Sequence, residues 1–104
     1  MTTTQSMIAG LPPVHPGELL REDILPSVEI SKTQLAERLH VSRQTFHDIL
    51  AGKQAVTAGM ALRLGRLFGN SAEFWLRLQQ TYDLKRAELE LAAELATIEP
   101  LAAA

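Results

Sequence analysis

Apolar residues recur three and four positions apart along most of the chain, which is the spacing of one buried face of an α-helix. Residues that start helices stand in front of these stretches: a proline at a first helical position, and serine or threonine N-caps. Five helices are predicted on this pattern, beginning at Pro16, Ser31, Ser42, Thr57 and Ser71. The alternation typical of a β-strand is almost missing, so the sequence predicts an all-α fold.

The predicted helix ends depend on proline and glycine. Pro26 is expected to stop the first helix at the preceding residue, because a proline breaks the backbone hydrogen-bond ladder. Gly52 and Gly69 tolerate the left-handed conformation that commonly ends a helix, and they close the third and fourth helices. The fifth helix is long and is expected to continue to about Ile98.

The second and third predicted helices are separated by only about three residues, 40–42, which is the connection length of a helix-turn-helix motif. Five apolar residues occupy the positions that two steeply crossing helices bury: Leu35, Leu39, Val41, Phe46 and Ile49. One face of the third helix is therefore committed to the core, and its other face is left free to meet a partner.

Three polar residues remain on the outer face of the third helix. Arg43 can bind guanine, Gln44 can bind adenine, and His47 can reach guanine acceptors or phosphate, so these three are the predicted base-reading residues. Four more residues are expected to approach backbone phosphates: Gln34, Ser42, Thr45 and Lys53. Asp48 would repel phosphate, so it either contacts a cytosine amino group or pairs with a nearby arginine. For each predicted contact the alternative is an ordinary solvated side chain.

Charge is divided unevenly along the 104 residues, whose formal net charge is −2. Residues 32–66 hold six basic side chains against two acidic ones, while both flanks are acidic, so the middle third suits contact with phosphate. There are no cysteines, which excludes disulfide frameworks, thiolate zinc sites and cysteine nucleophiles. No stretch approaches the roughly 20 apolar residues of a membrane helix. A cytoplasmic protein without a membrane partner is expected.

Two runs of sequence carry a family resemblance: "HPGELLREDILP" and "VSRQTFHDILAGKQAVTAGMALRLGRLFGNSAEFWLRLQQTYDL". Over residues 15–86 the chain resembles the HigA family of antitoxins, which includes virulence-associated protein I and lies within the Xre/Cro/cI-type repressors. The resemblance implies a five-helix, lambda-repressor-like domain that represses its own operon as a homodimer. It also implies neutralisation of a small basic toxin of the HigB type, similar to RelE-like mRNA interferases.

The resemblance implies the same operator-contacting residues as the helix-turn-helix pattern, apart from Lys53. If the dimer is two-fold symmetric, its operator should be an inverted repeat. One departure from the family pattern lies in the turn, where His40 stands at a position that many helix-turn-helix proteins give to glycine. A left-handed backbone is costlier there, although histidine tolerates it better than most residues.

The end of the chain lies outside the resemblance. We divide the sequence into an N-terminal tail (1–14), the helix-turn-helix domain (15–86) and a C-terminal helix extension (87–104). A spaced apolar stripe predicts dimerisation through the fifth helix: Leu84, Leu91, Leu95 and Ile98. Alternatively, the stripe folds back on the first helix or frays. The glutamates of this segment are either solvated or attract a basic toxin.

Two other functions compete with an antitoxin: a stand-alone Xre-type repressor without a toxin, and a protein-interaction module that has lost DNA binding. An enzyme is not expected. The three histidines lack the i, i+4 spacing of a helical zinc pair, and no glycine-rich phosphate loop occurs. The sequence therefore predicts no catalytic residue, no metal site and no cofactor.

Overall fold

The computed structural model describes residues 13–102, which form five α-helices joined by short connections. The helices are α1 Pro16–Leu19, α2 Lys32–Leu39, α3 Arg43–Leu50, α4 Ala58–Phe68 and α5 Ala72–Leu95. α1 continues directly into a π-helical turn, Leu20–Ile24, and a 3-10 turn, Leu25–Ser27. No strand occurs between residues 13 and 102, and the predicted all-α helix-turn-helix fold is confirmed. Most of the predicted N-terminal tail lies outside the described residues, and the threefold division of the chain stays a prediction.

Local hydrogen bonds explain where the four longer helices begin. The side chains of four N-cap residues each accept a hydrogen bond from the backbone amide three residues further on: Ser31, Ser42, Thr57 and Ser71. At α2 the cap is reciprocal, because Oε1 of Gln34 also accepts from the Ser31 amide at 3.1 Å. A cap of this kind is worth about 1 kcal/mol. These four predicted helix starts are confirmed.

One of two predicted helix ends is correct and the other is wrong. The π-helical turn ends at Ile24, and its last bond runs from the Leu25 amide to the Leu20 carbonyl. Pro26 has no amide to continue this ladder, and the chain makes one tighter 3-10 turn that ends at Ser27. α5 ends at Leu95 rather than near Ile98, and the Thr97 hydroxyl donates to the Glu94 carbonyl at 2.7 Å, satisfying an end carbonyl.

The turn between α2 and α3 is tight because His40 adopts the left-handed conformation, with φ of 60°. The His40 amide donates to the Glu37 carbonyl and the Val41 amide to the Ala36 carbonyl, both at 3.0 Å. This pairing is a Schellman motif, in which glycine usually holds the left-handed position. The expected left-handed histidine is therefore present, and it sets the short crossing from α2 to α3.

The core is formed by α2, α3, α4, the first half of α5 and Leu20 of the turn after α1. Trp75 of α5 is fully buried, and its Nε1 donates to Oδ1 of Asn70 at 2.8 Å. From the opposite side, Arg21 donates through Nη1 to the Leu50 carbonyl at 2.5 Å, which places a cation at the C-terminal end of α3. α3, the predicted recognition helix of the helix-turn-helix, is thus held at its buried face and at its end.

Candidate nucleic-acid interface

The outer face of α3 carries the three predicted base-reading residues. Arg43, Gln44 and His47 are exposed, while Phe46 and Ile49 on the other face are each 1% exposed. The buried pair fixes the rotation of the helix about its own axis, because turning it would expose apolar surface. As a result, the polar trio faces solvent together and can enter a major groove without any change of the core.

Ser42 and Gln34, which are both predicted to approach phosphate, also take part in the N-terminal caps of α3 and α2. Oγ of Ser42 accepts from the Thr45 amide at 3.0 Å and donates to Oγ1 of Thr45 at 2.9 Å. Oε1 of Gln34 is engaged by the Ser31 amide, which leaves the Gln34 NH2 group to donate outward. The Thr45 hydroxyl at the start of α3 and the Gln34 NH2 group at the start of α2 are therefore left to donate, each beside a helix N-terminus, where phosphate is favoured.

Asp48 makes a contact that differs from the expected arginine partner. Its Oδ1 accepts a hydrogen bond from Nε2 of Gln44 at 2.8 Å, one turn earlier on α3. The bond occupies one of the two Gln44 amide protons and keeps the other, together with the carbonyl oxygen, available for a base edge. Asp48 thus orients Gln44, one of the predicted base-reading residues, and the arginine pairing that was one of its two expected roles is wrong.

A shallow cleft between the start of α2 and α3 adds residues that the sequence did not single out. Lys32 and Thr33 line it together with Arg43 and His47. Two helix starts thus bring positive side chains to one place, and Lys32 joins the predicted contact surface. In the sequence, Lys32 was marked only by its place directly after the Ser31 cap and by its charge within the basic segment 32–66.

The loop after α3 carries Lys53, which is exposed. Its backbone amide donates to the Asp48 carbonyl at 2.8 Å, which ties the loop to the end of the recognition helix. A neighbouring cleft is lined by Thr45 of α3 and by Gln54 and Thr57 of this connection. The structure therefore holds the exposed Lys53 close to the C-terminal end of α3.

A further cleft, which is rich in arginine and was not predicted from the sequence, lies beside the turn. Arg38, Arg63 and Arg66 line it around an apolar floor. Nε of Arg63 donates to the Leu39 carbonyl at 3.1 Å, so this arginine caps the C-terminal end of α2. The ion pairs of Arg21 with Glu22 and of Arg86 with Glu90 lie outside residues 32–66. The basic charge of the middle segment is thus concentrated around the helix-turn-helix.

The predicted dimerisation stripe is solvent-exposed along the second half of α5. At about 100° per residue, Leu84, Leu91 and Leu95 lie within about 40° of one another, and they are 65%, 43% and 45% exposed. Ile98 is 61% exposed but lies beyond the end of α5, so its place in the helical stripe is wrong. Residues 88–102 are all exposed, and folding of the stripe back onto α1 is not found in this range.

Chemical sites of other kinds are not found in the described part of the chain. Between residues 13 and 102 no group of three or more His, Asp or Glu side chains is placed to hold a metal ion. In the same range no helix is both long and apolar enough to cross a membrane.

Comparison with known proteins identifies a helix-turn-helix family. A family model described as a helix-turn-helix domain matches residues 17–92. Virulence-associated protein I of Dichelobacter nodosus is 46% identical over 78 residues, which make up 75% of this chain and 72% of that protein. Antitoxin HigA-1 of Vibrio cholerae is 34% identical over 89 residues, or 86% of this chain and 84% of that protein. The chain belongs to the HigA-type family of helix-turn-helix antitoxins.

A solved HigA structure extends the comparison to three dimensions. Antitoxin HigA of Pseudomonas aeruginosa, solved with the higBA promoter, matches with a TM-score of 0.81 and 43% sequence identity. The match covers 86% of this chain and 98% of that one. As a HigA-type protein, the chain is a DNA-binding regulator of transcription and an antitoxin, and it is not an enzyme.

Proposed function

We propose that the chain binds its own operator as a homodimer, represses transcription of its operon, and neutralises a small basic toxin similar to RelE-like mRNA interferases. The observation that carries the DNA part is the exposed trio Arg43, Gln44 and His47, held outward by the buried face of α3. The HigA of P. aeruginosa, solved with promoter DNA at 43% identity, supports this reading. Because repression takes place on the operon itself, the cytoplasm is the proposed location.

The proposed contacts divide into two classes with different consequences. Arg43, Gln44 and His47 read base edges, so they carry the preference for the operator over other sequences. Gln34, Ser42, Thr45 and Lys53 contact the DNA backbone and set orientation and affinity without reading sequence. A substitution in the first class should change preference, and one in the second should change the dependence on salt.

Homodimerisation is proposed through the α5 stripe of Leu84, Leu91 and Leu95. Exposed leucines on one helix face favour burial against a copy of the same face, because a two-fold axis pairs identical patches. Two recognition helices would then enter successive major grooves about 34 Å apart, so the operator is expected to be an inverted repeat.

Operator binding is tested by substituting one residue of each class. Arg43→Ala and Gln44→Ala should each lower operator affinity by about 1–3 kcal/mol and relax base preference. Lys53→Ala should weaken operator and scrambled duplex alike. Arg77→Ala, an exposed arginine outside the basic segment, is the matched control. Wild-type binding by Arg43→Ala would refute the assigned reading face. Equal affinity of the wild-type chain for operator and scrambled duplex would instead favour the protein-interaction module.

Binding of a basic toxin is proposed from the negative charge of the C-terminal segment. The segment after Arg86 holds four glutamates and no basic residue, so it would attract a basic protein. The test is to express the neighbouring reading frame with and without this chain. Growth arrest relieved by co-expression supports an antitoxin. A neighbouring product that neither arrests growth nor co-purifies favours the stand-alone repressor.

A further inference from the structure

The loop between α3 and α4, residues 51–57, is held from two sides. On one side the Lys53 amide donates to the Asp48 carbonyl of α3 at 2.8 Å. On the other side the Val56 amide donates to Oε1 of Gln79 on α5 at 2.8 Å, and both residues are buried, at 2% and 5% exposure. A buried amide without a partner costs about 1–3 kcal/mol. The loop is therefore fixed to α5 as well as to the recognition helix.

The chemistry of this contact requires an amide side chain at position 79. Nε2 of Gln79 donates to Oδ1 of Asp83 at 3.0 Å, one turn further along α5. An ionised carboxylate only accepts hydrogen bonds, so Asp83 must face the NH2 group and the Gln79 oxygen must face the loop. A hydrocarbon would satisfy neither partner, and a carboxylate at position 79 would meet Asp83 with like charge.

A second buried side chain holds the same loop from the direction of α1. His15 is 7% exposed, and its Nδ1 accepts from the Gly17 amide at 2.9 Å, which makes it the N-cap of α1. Its ring also lies beside the loop, since a Cβ added to Gly52 would be 3.8 Å from the His15 Cγ, and it meets the Tyr82 ring edge-on, with centroids 4.9 Å apart. Two buried polar residues thus lie against the loop, Gln79 on α5 and His15 at the start of α1.

We infer that Gln79, supported by His15, is a positioning residue for DNA binding: it fixes the 51–57 loop so that Lys53 meets a DNA phosphate beside the recognition helix. This inference depends on the proposed phosphate contact of Lys53. Gln79 itself is buried, so it contributes through the loop and does not touch DNA. Asp83 keeps the Gln79 amide in the orientation that the loop needs.

The test measures affinity for duplex DNA as a function of salt concentration. Each phosphate contact contributes about 0.9 to the slope of log K against log salt, or about 3.5-fold in affinity between 50 and 200 mM. Lys53→Ala should remove one such contact. Gln79→Met, which keeps the volume but not the hydrogen bonds, should lower the slope by the same amount in folded protein. Gln80→Met, at the exposed neighbouring position, should keep the wild-type slope.

A double-mutant cycle separates positioning from a general loss of stability. If Gln79 acts through Lys53, then adding Gln79→Met to Lys53→Ala should leave affinity and slope as they are in Lys53→Ala alone. Losses that add independently, or a wild-type slope in Gln79→Met, would overturn the inference. A wild-type slope in Lys53→Ala would overturn it as well.

If Gln79→Met does not fold, the inference can still be tested by exchanging the amide and the carboxylate of positions 79 and 83. Gln79→Glu places two carboxylates together and should reduce the slope. In the double variant Gln79→Glu with Asp83→Asn, the carboxylate at position 79 accepts from the Val56 amide, and the side-chain amide at position 83 donates to that carboxylate. The net charge is that of the wild type, so the double variant should recover the wild-type slope. Failure of the swap to recover the slope counts against the inference. Because slopes can be measured on scrambled duplex, this result is independent of whether Arg43 and Gln44 read the operator.

Discussion

Gly17 gives a sharp test of how α1 is docked on the recognition helix. It is the second residue of α1 and is buried. A Cβ at this position would lie 1.9 Å from the carbonyl oxygen of Ile49, 2.9 Å from its carbonyl carbon and 3.1 Å from Nδ1 of His15. Two of the three atoms belong to the backbone of α3, which no rotamer change can move away. Gly17→Ala therefore requires α1 and α3 to separate.

Gly17→Ala is expected to destabilise the fold, although replacing glycine by alanine usually stabilises a helix. Intrinsic propensity favours alanine over glycine by about 1 kcal/mol. Overpacking against a rigid neighbour costs about 3 kcal/mol, at the upper end of its usual range. Gly17→Ala should then destabilise the fold by about 2 kcal/mol, or lower Tm by about 10 °C for a domain of this size.

Urea unfolding followed by fluorescence measures this effect, because the chain contains one tryptophan and Trp75 is fully buried. Gly59→Ala is the matched control, since Gly59 lies in α4 and a Cβ there would have no neighbour within 4 Å. The control should gain about 0.5–1 kcal/mol. A Gly17→Ala protein as stable as the wild type would refute the described packing of α1 on α3.

Three further predictions concern other parts of the molecule. Burial lowers the pKa of His15 from its ordinary 6.5, against the opposing effects of the Gln54 backbone and Asp83. As the pH is lowered, His15 is therefore protonated in the unfolded chain before it is protonated in the folded chain. The free energy of unfolding should have its full value above about pH 6.5 and should fall as the pH drops toward the lowered pKa. Unfolding measured at several pH values tests this dependence, which should weaken in His15→Asn. Leu91→Glu should raise the dissociation constant of the proposed dimer by at least about tenfold, as measured by sedimentation. Leu89→Glu, on another face of α5, should leave it unchanged. Ser31→Ala should cost about 1 kcal/mol in urea unfolding by removing the capping box of α2, and a wild-type midpoint would contradict it.

The helix starts were predictable because their causes are local. A serine or threonine accepts a hydrogen bond from an amide three residues ahead, so the sequence around Ser31, Ser42, Thr57 and Ser71 contains both partners. The predicted reading face followed from the same kind of argument. Once Phe46 and Ile49 are assigned to the core, helical periodicity leaves Arg43, Gln44 and His47 on the other side.

The residues that sequence reasoning missed act between distant parts of the chain. His15 has the local signature of a residue before a helix-starting proline, but its ring packs against Tyr82, far away on α5. Gln79 resembles any polar residue on a long helix, yet it satisfies a buried amide 23 positions earlier. Neither role has a periodic or capping signal, because each partner is brought near only by the packing of α5 against the rest of the fold.

These long-range contacts give α5 two tasks under the proposed function. Its exposed half carries the leucines that would join two protomers and so set the distance between the two recognition helices. Its buried half holds the 51–57 loop through Gln79, and so sets where Lys53 stands relative to each recognition helix. Half-site spacing and phosphate contact would therefore depend on the same rigid element. A change that bends α5 should alter both together, while a change confined to the face of α3 should alter only which bases are read.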